Sequence, residues 1–89
     1  MKFFVYILFS KKFDTFYIGQ TNNVEERYNR HNKGYEKATK RYIPWKLIGY
    51  IEKESRIEAV ALEIKLKNLS KLRIESFIKK YINGGSDEL

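Results

Sequence analysis

Phe3-Phe4-Val5-Tyr6-Ile7-Leu8-Phe9 is followed, across Ser10-Lys11-Lys12-Phe13-Asp14, by Thr15-Phe16-Tyr17-Ile18-Gly19-Gln20. Both apolar runs are rich in the Phe, Tyr, Ile and Val that suit a pleated, half-buried surface, and the break between them has the length of a hairpin loop. They predict an antiparallel pair of strands at the start of the domain. With side chains alternating at period two, Phe4, Tyr6 and Leu8 share one face of the first strand, and Thr15, Tyr17 and Gly19 share one face of the second. Whether the phenols of Tyr6 and Tyr17 meet depends on the register, which the sequence leaves open.

Working outward, Thr21-Asn22-Asn23 supplies N-cap candidates, Glu25 and Glu26 fall in a first turn, and Gly34 marks a stop, which brackets a helix over about 23–33. At about 100° per residue, Arg27, His31, Val24 and Tyr28 follow in that order across one arc. Val24 and Tyr28 are expected to anchor the helix, leaving Arg27 and His31 on the edge of the buried arc, where a side chain can reach into a cleft. Ile43 to Ile51 reads as a third strand with the single proline, Pro44, at its start. Ser55 with Glu58 forms a capping box that opens a helix to about Asn68, with the stripe Ala59, Leu62, Leu66 and Leu69. Ser70 caps a last helix with the stripe Ile74, Phe77, Ile78 and Tyr81, and 84–89 reads as a frayed tail. The expected fold is α/β in the α+β sense: one domain over 1–83, with a three-stranded, mainly antiparallel sheet flanked by helices.

Eighty-nine residues suffice for one core and not for two. There is no cysteine, so neither a disulfide framework nor a thiolate metal site is available. The apolar stretch Phe3 to Phe9 is too short to span a bilayer and ends at Lys11-Lys12 without a signal-peptide cleavage site, so a cytoplasmic monomer is expected, away from the membrane. Eighteen basic against eleven acidic residues give a net charge of +7, and the pI of about 9.6 makes a polyanionic partner the natural expectation. Residues 1–52 hold ten Lys or Arg against five Asp or Glu, net +5. Between Arg27 and Lys46 the cations Arg30, Lys33, Lys37, Lys40 and Arg41 alternate with Tyr28, Tyr35, Tyr42 and Trp45. Cations that track a phosphate backbone, with aromatics to stack on bases, are the ingredients of single-strand or distorted-strand binding. The competing reading is a solvated loop whose aromatics, Trp45 above all, turn into the core. Nothing resembles a base-reading module, so no sequence specificity is expected.

The ordered set Phe4-Val5-Tyr6, Tyr17-Ile18-Gly19, Arg27, His31 and Glu63 resembles the GIY-YIG nuclease family over roughly residues 1–72. The second triplet matches the family's letters in full, and the first keeps its tyrosine. The short length is similar to the small stand-alone members, related to the N-terminal nuclease domain of UvrC. The resemblance implies that Tyr6 and Tyr17 face one cleft, one acting on the attacking water and the other holding the scissile phosphate. A free phenol titrates near 10, so such a tyrosine needs cations that favour its phenolate, which Arg27 and a bound metal would supply. Arg27 can also fork onto two phosphate oxygens, and His31, the single histidine, carries over as an accessory group. Glu63 carries over as the metal ligand. It lies four residues after Ala59 and three before Leu66, touching the apolar stripe, where a carboxylate is costly unless occupied. Its alternative is an i, i+4 pair with Lys67, worth ~0.3–0.5 kcal/mol. One carboxylate with phosphate oxygens and waters suits Mg²⁺ or Mn²⁺, which would stabilise the leaving oxygen.

Gly19, Arg30, Lys33, Lys37, Lys40 and Arg41 are the expected nucleic-acid-binding positions, with DNA favoured over RNA. Two departures from the family pattern stand out: Gln20 takes a position where members often carry Lys, and Asn68 matches a late Asn only by type. The expected function is a metal-dependent endonuclease that hydrolyses DNA phosphodiester bonds, in repair or in processing of single-stranded or distorted DNA. Its rivals are a non-catalytic nucleic-acid-binding protein that retains the fold, and a protein-interaction module whose charge is incidental.

Neutralising Lys37, Lys40 and Arg41 together is expected to weaken DNA binding at every sequence. It should also flatten the salt dependence by ~0.7–0.9 in the log–log slope for each phosphate no longer neutralised. A salt titration of fluorescence anisotropy measures this, and an unchanged slope would make the segment a solvated face.

Overall fold

The computed structural model describes residues 2–83, so the tail expected over 84–89 lies outside the described residues. The two aromatic-rich runs form β1 (Phe3–Ser10) and β2 (Thr15–Thr21), paired antiparallel with Tyr6 opposite Gly19 and Leu8 opposite Tyr17. Asp14 ends their loop with φ 52°, a left-handed conformation that Asp adopts more readily than most side chains. The third strand, β3 (Lys46–Lys53), pairs antiparallel with the other edge of β1, giving the order β2-β1-β3. The register slips between Ile7, opposite Gly49, and Leu8, opposite Leu47, so Ile48 is the extra residue of a β-bulge.

Strand β3 starts later than the sequence reading places it. Lys40–Tyr42 forms a 3₁₀ turn, and Ile43 and Pro44, joined by a cis peptide bond, precede the strand. The physical reason lies in Trp45, whose backbone N–H donates to Asn32 Oδ1 at 2.7 Å. Its carbonyl accepts from Asn32 Nδ2 and from the Tyr28 hydroxyl, each at 2.9 Å. Both backbone groups are thereby committed to the helix above, and neither is free for the ladder.

Helix α1 (Val24–Asn32) is capped by Asn23, whose side chain accepts from Glu26 N, and the chain turns after it through Gly34 at φ 79°. The left-handed conformation there favours glycine. Ser55 caps α2 (Arg56–Lys67) by accepting from Glu58 N, and Ser70 caps α3 (Lys71–Ile78) by accepting from Arg73 N.

Alternation along β1 divides the core in two. Val5 and Ile7, with Ile18, pack against Ala59 and Leu66 of α2 and Ile74 and Ile78 of α3. Tyr6 and Leu8 face the opposite way, beneath α1 and the following loop, with Trp45, Tyr17, Val24 and Tyr28. Fully burying an aliphatic side chain stabilises by about 1.5–3 kcal/mol, so each layer has its own apolar anchor on the single central strand. Of the expected stripes, Ala59, Leu62, Leu66, Leu69, Ile74, Phe77 and Ile78 pack on the side of Val5 and Ile7, whereas Tyr81 lies beyond α3 in the turn Lys79–Asn83, against the Phe77 ring. Gly49 lets the π-helical turn Lys79–Asn83 approach β3, since a Cβ there would lie 2.7 Å from Ile82 Cγ2. Among the described residues no helix is long and apolar enough to cross a membrane.

Asn32→Ala removes the bracket around Trp45 and is expected to cost about 2 kcal/mol, a fall in Tm on the order of 10 °C for a domain of this size. Asn32→Asp keeps the acceptor but not the donor and should fall between. Thermal unfolding by circular dichroism tests both, and an unchanged Asn32→Ala midpoint would remove the bracket's role.

Candidate active site

Tyr6 sits in the middle strand with 1 % of its surface exposed, so its hydroxyl needs a partner inside the fold. Two features of the sequence accommodate it. Opposite it stands Gly19, where a Cβ would come 2.4 Å from the Tyr6 hydroxyl oxygen, so the phenol occupies space that only glycine leaves open. Above it stands His31 of α1, equally buried, whose Nε2 lies 2.8 Å from Tyr6 Oη. The other ring nitrogen, Nδ1, is 2.7 Å from Thr39 Oγ1.

The direction of these bonds depends on the imidazole tautomer, which is assigned from their far end. We assign the Thr39 Oγ1 proton to the Glu36 carbonyl, 3.4 Å away, which leaves that oxygen to accept from His31 Nδ1–H. A neutral imidazole then carries no proton on Nε2, so that nitrogen accepts from the Tyr6 hydroxyl. Burial lowers the His31 pKa from its ordinary value, with Glu36 opposing and Arg27 and Arg30 adding to the fall. The imidazole is therefore neutral at pH 7 and able to take a proton. Burial raises the Tyr6 pKa far above the ordinary phenol value, repulsion from Tyr17 adds to this, and the Arg27 guanidinium works against both. Burial wins, and Tyr6 stays protonated. Arg27 by itself does not hold the phenolate expected from Arg27 together with a bound metal, and the phenol has an acceptor for its proton in His31.

Tyr17 joins the cluster from β2, its ring centroid 5.0 Å from that of His31 and 6.3 Å from that of Tyr6. Arg27, one turn before His31 on α1, lines a polar cavity of about 110 Å³ with Gln20, Thr21 and Arg56. Tyr6, Tyr17, Arg27 and His31 thus converge on the α1 face of the sheet. Glu63 belongs to α2, whose apolar stripe packs on the other side of the sheet. Its carboxylate is 3.3 Å from Lys67 Nζ, and Lys67 Nζ lies 5.9 Å from the centre of the Tyr17 ring. Strand β2 is an edge of the sheet, so the long Lys67 side chain connects the two faces around it. Among the described residues no group of three or more His, Asp or Glu side chains could hold a metal ion.

The basic residues divide. Lys33, Lys37, Lys40 and Arg41 are exposed, whereas Arg30 is bonded to Glu36 at 2.9 Å. Trp45 is core, its Nε1–H donating to the Thr39 carbonyl at 3.0 Å. Sequence reasoning missed Thr39, Asn32 and Arg56. A lone buried histidine requires two partners, which signals that a residue such as Thr39 must exist, but not where.

The GIY-YIG catalytic domain family matches residues 2–81 of this chain. A UPF0213 protein of Limosilactobacillus reuteri (strain DSM 20016) is 33% identical over 81 residues, covering 86% of this chain and 82% of that protein. The solution NMR structure of a UPF0213 protein from Bacillus halodurans superposes with a TM-score of 0.60 at 31% identity, over 96% of this chain and 88% of that one.

Because folding lowers the His31 pKa, the unfolded chain binds more protons than the folded one once pH falls below about 6.5. His31's contribution to stability is complete above that pH and is lost as pH falls toward the folded value. Glu36, held below its ordinary 4.5 by Arg30, acts only at lower pH. Tm is therefore expected to fall between pH 7 and 5, and less steeply in His31→Gln. Parallel Tm profiles for the two proteins would contradict a neutral buried His31.

Proposed function

The chain belongs to the GIY-YIG family, a family of nucleases, and on that footing we propose that it is a metal-dependent endonuclease hydrolysing DNA phosphodiester bonds. The observation that carries the proposal is the directed chain from the Tyr6 hydroxyl through His31 to Thr39, with Arg27 beside it.

In this reading a water attacks phosphorus in line. Tyr6 Oη takes the water's proton as its own passes to His31 Nε2, so the phenol acts as a base without first ionising. The imidazolium that forms keeps its Nδ1–H on Thr39 and is disfavoured by burial and by Arg27. Once the bond has broken it therefore gives the Nε2 proton back to Tyr6 Oη as that oxygen releases its own to solvent, which protonates the leaving oxygen. Arg27 forks onto the non-bridging oxygens and neutralises the charge that grows there in the transition state. Tyr17, half-buried beside His31, orients the phosphate.

Members of the family generally depend on a divalent metal, and Glu63 is the residue that would hold it. One carboxylate is a sufficient protein ligand for Mg²⁺ or Mn²⁺, which retain waters and take substrate oxygens. Glu63's present partner is the ammonium of Lys67, an i, i+4 pair of small worth that a divalent cation can replace. When bound, the ion supplies positive charge against the leaving oxygen. The exposed Lys33, Lys37, Lys40 and Arg41 extend the electrostatic footprint along the strand. Single-stranded or distorted DNA met in repair or processing is the substrate class that fits a domain with no base-reading module.

Incubating plasmid and oligonucleotide DNA with Mg²⁺, Mn²⁺ or EDTA is expected to give cleavage in the first two only. Tyr6→Phe should fold normally and cut about 10²–10⁴ times more slowly. Glu63→Gln should bind DNA and fail to cut. Binding without cleavage in either metal would leave the non-catalytic nucleic-acid-binding reading, and full activity in Tyr6→Phe would end the relay.

A further inference from the structure

Beside Tyr6, on the same face of the sheet, lies a cavity of about 440 Å³ whose walls include Phe4, Tyr28, Leu47 and Tyr50, with Asn22 and Glu25 at its polar side. Phe4 is two residues from Tyr6 on β1, and Tyr50 is directly opposite Tyr6 on β3. The cavity therefore adjoins the candidate catalytic cluster. Asn22 also lines the smaller polar cavity that holds Arg27 and Arg56, so the two cavities flank one turn.

Their electrostatics differ in sign. The small cavity presents two guanidiniums and no carboxylate, whereas the large one presents a carboxylate, three aromatic rings and no cation. A phosphate is favoured in the first and repelled from the second. An uncharged, flat, aromatic group is favoured in the second, where Glu25 can accept from a ring amine. Tyr50 is 52% exposed on an edge strand and meets Phe4 edge-on at 5.5 Å, an arrangement that leaves ring surface open. In a duplex the base faces are occupied by their neighbours, so only a splayed base can stack here.

We propose that this aromatic cavity takes an unpaired nucleobase of a DNA strand whose phosphate lies between Arg27 and Arg56. The proposal rests on the nucleic-acid reading above and deepens it by naming what selects an unpaired strand. Arg56 becomes a phosphate-binding residue that reaches the site from the first turn of α2, its guanidinium also resting over Phe3 at 5.3 Å.

The test is equilibrium binding in EDTA, where the result does not depend on cleavage. Labelled single-stranded and duplex oligonucleotides are titrated with the wild type, Tyr50→Thr, Tyr50→Phe and Arg56→Gln. Tyr50→Thr keeps a β-branched residue on the edge strand, and its Tm verifies the fold. It should weaken single-strand binding by about 5- to 150-fold, the worth of one stacked base, and leave duplex binding within about twofold. Tyr50→Phe should retain single-strand affinity, because the ring face is kept. Arg56→Gln should weaken both ligands and lower the salt slope by ~0.7–0.9. Unchanged single-strand affinity in Tyr50→Thr, or equal losses on both ligands, would overturn the base site. Because no step involves cutting, a protein that never cleaves DNA can still satisfy the test, and a protein that cleaves can still fail it.

Discussion

Tyr6 lies on the central strand of a three-layered domain with 1 % of its surface exposed, so its hydroxyl needs partners inside the fold and its burial constrains everything around it. Its ring needs the space over Gly19, and its proton needs the unprotonated Nε2 of His31. That nitrogen is available only if Nδ1 carries the hydrogen, and Thr39 holds it there. Thr39 in turn belongs to the loop that Asn32 and Tyr28 bind to α1 through the backbone of Trp45. The late start of β3, the buried tryptophan and the pairing of Arg30 with Glu36 all follow from fixing that loop.

The same arrangement separates two electrostatic tasks. Burial keeps Tyr6 protonated and His31 neutral, so the pair stores no charge inside the core, and in the proposed mechanism it is this neutral pair that passes the proton. Charge is confined to the border of the cluster, on Arg27 at the mouth and on Lys67 and Glu63 around the β2 edge. An edge strand is where residues from opposite faces of a sheet can meet, and Tyr17 lies on it, touched by His31 from one side and Lys67 from the other.

Much of this is legible in the amino-acid sequence. Strand composition and period two assign Tyr6 and Leu8 to one side of β1 and Val5 and Ile7 to the other. Caps at Asn23, Ser55 and Ser70 locate three helix starts, because each offers a side-chain acceptor to a backbone N–H that would otherwise be unpaired. The phase of α1 assigns Arg27 to the border of its buried arc. It assigns His31 there too, whereas His31 is the buried residue of that helix because Tyr6 and Thr39 give its two ring nitrogens partners inside the fold. Alternation, caps and helical phase are local facts, decided within one or two turns or along one strand.

Other features belong to the packed chain alone. Register made Gly19 the residue under the Tyr6 phenol, and a slip of one position would have turned Tyr6 away from His31 altogether. Thr39 and Asn32 acquire their roles from partners eight and thirteen positions distant, across a loop with no periodicity to read. Arg56 shares a cavity with Arg27 only because packing brings the start of α2 beside the end of β2. Sequence by itself determined which side chains point toward which layer, since alternation and helical phase are properties of a single segment. Only the tertiary structure decided which of them touch, because contact depends on how layers from distant segments settle against one another.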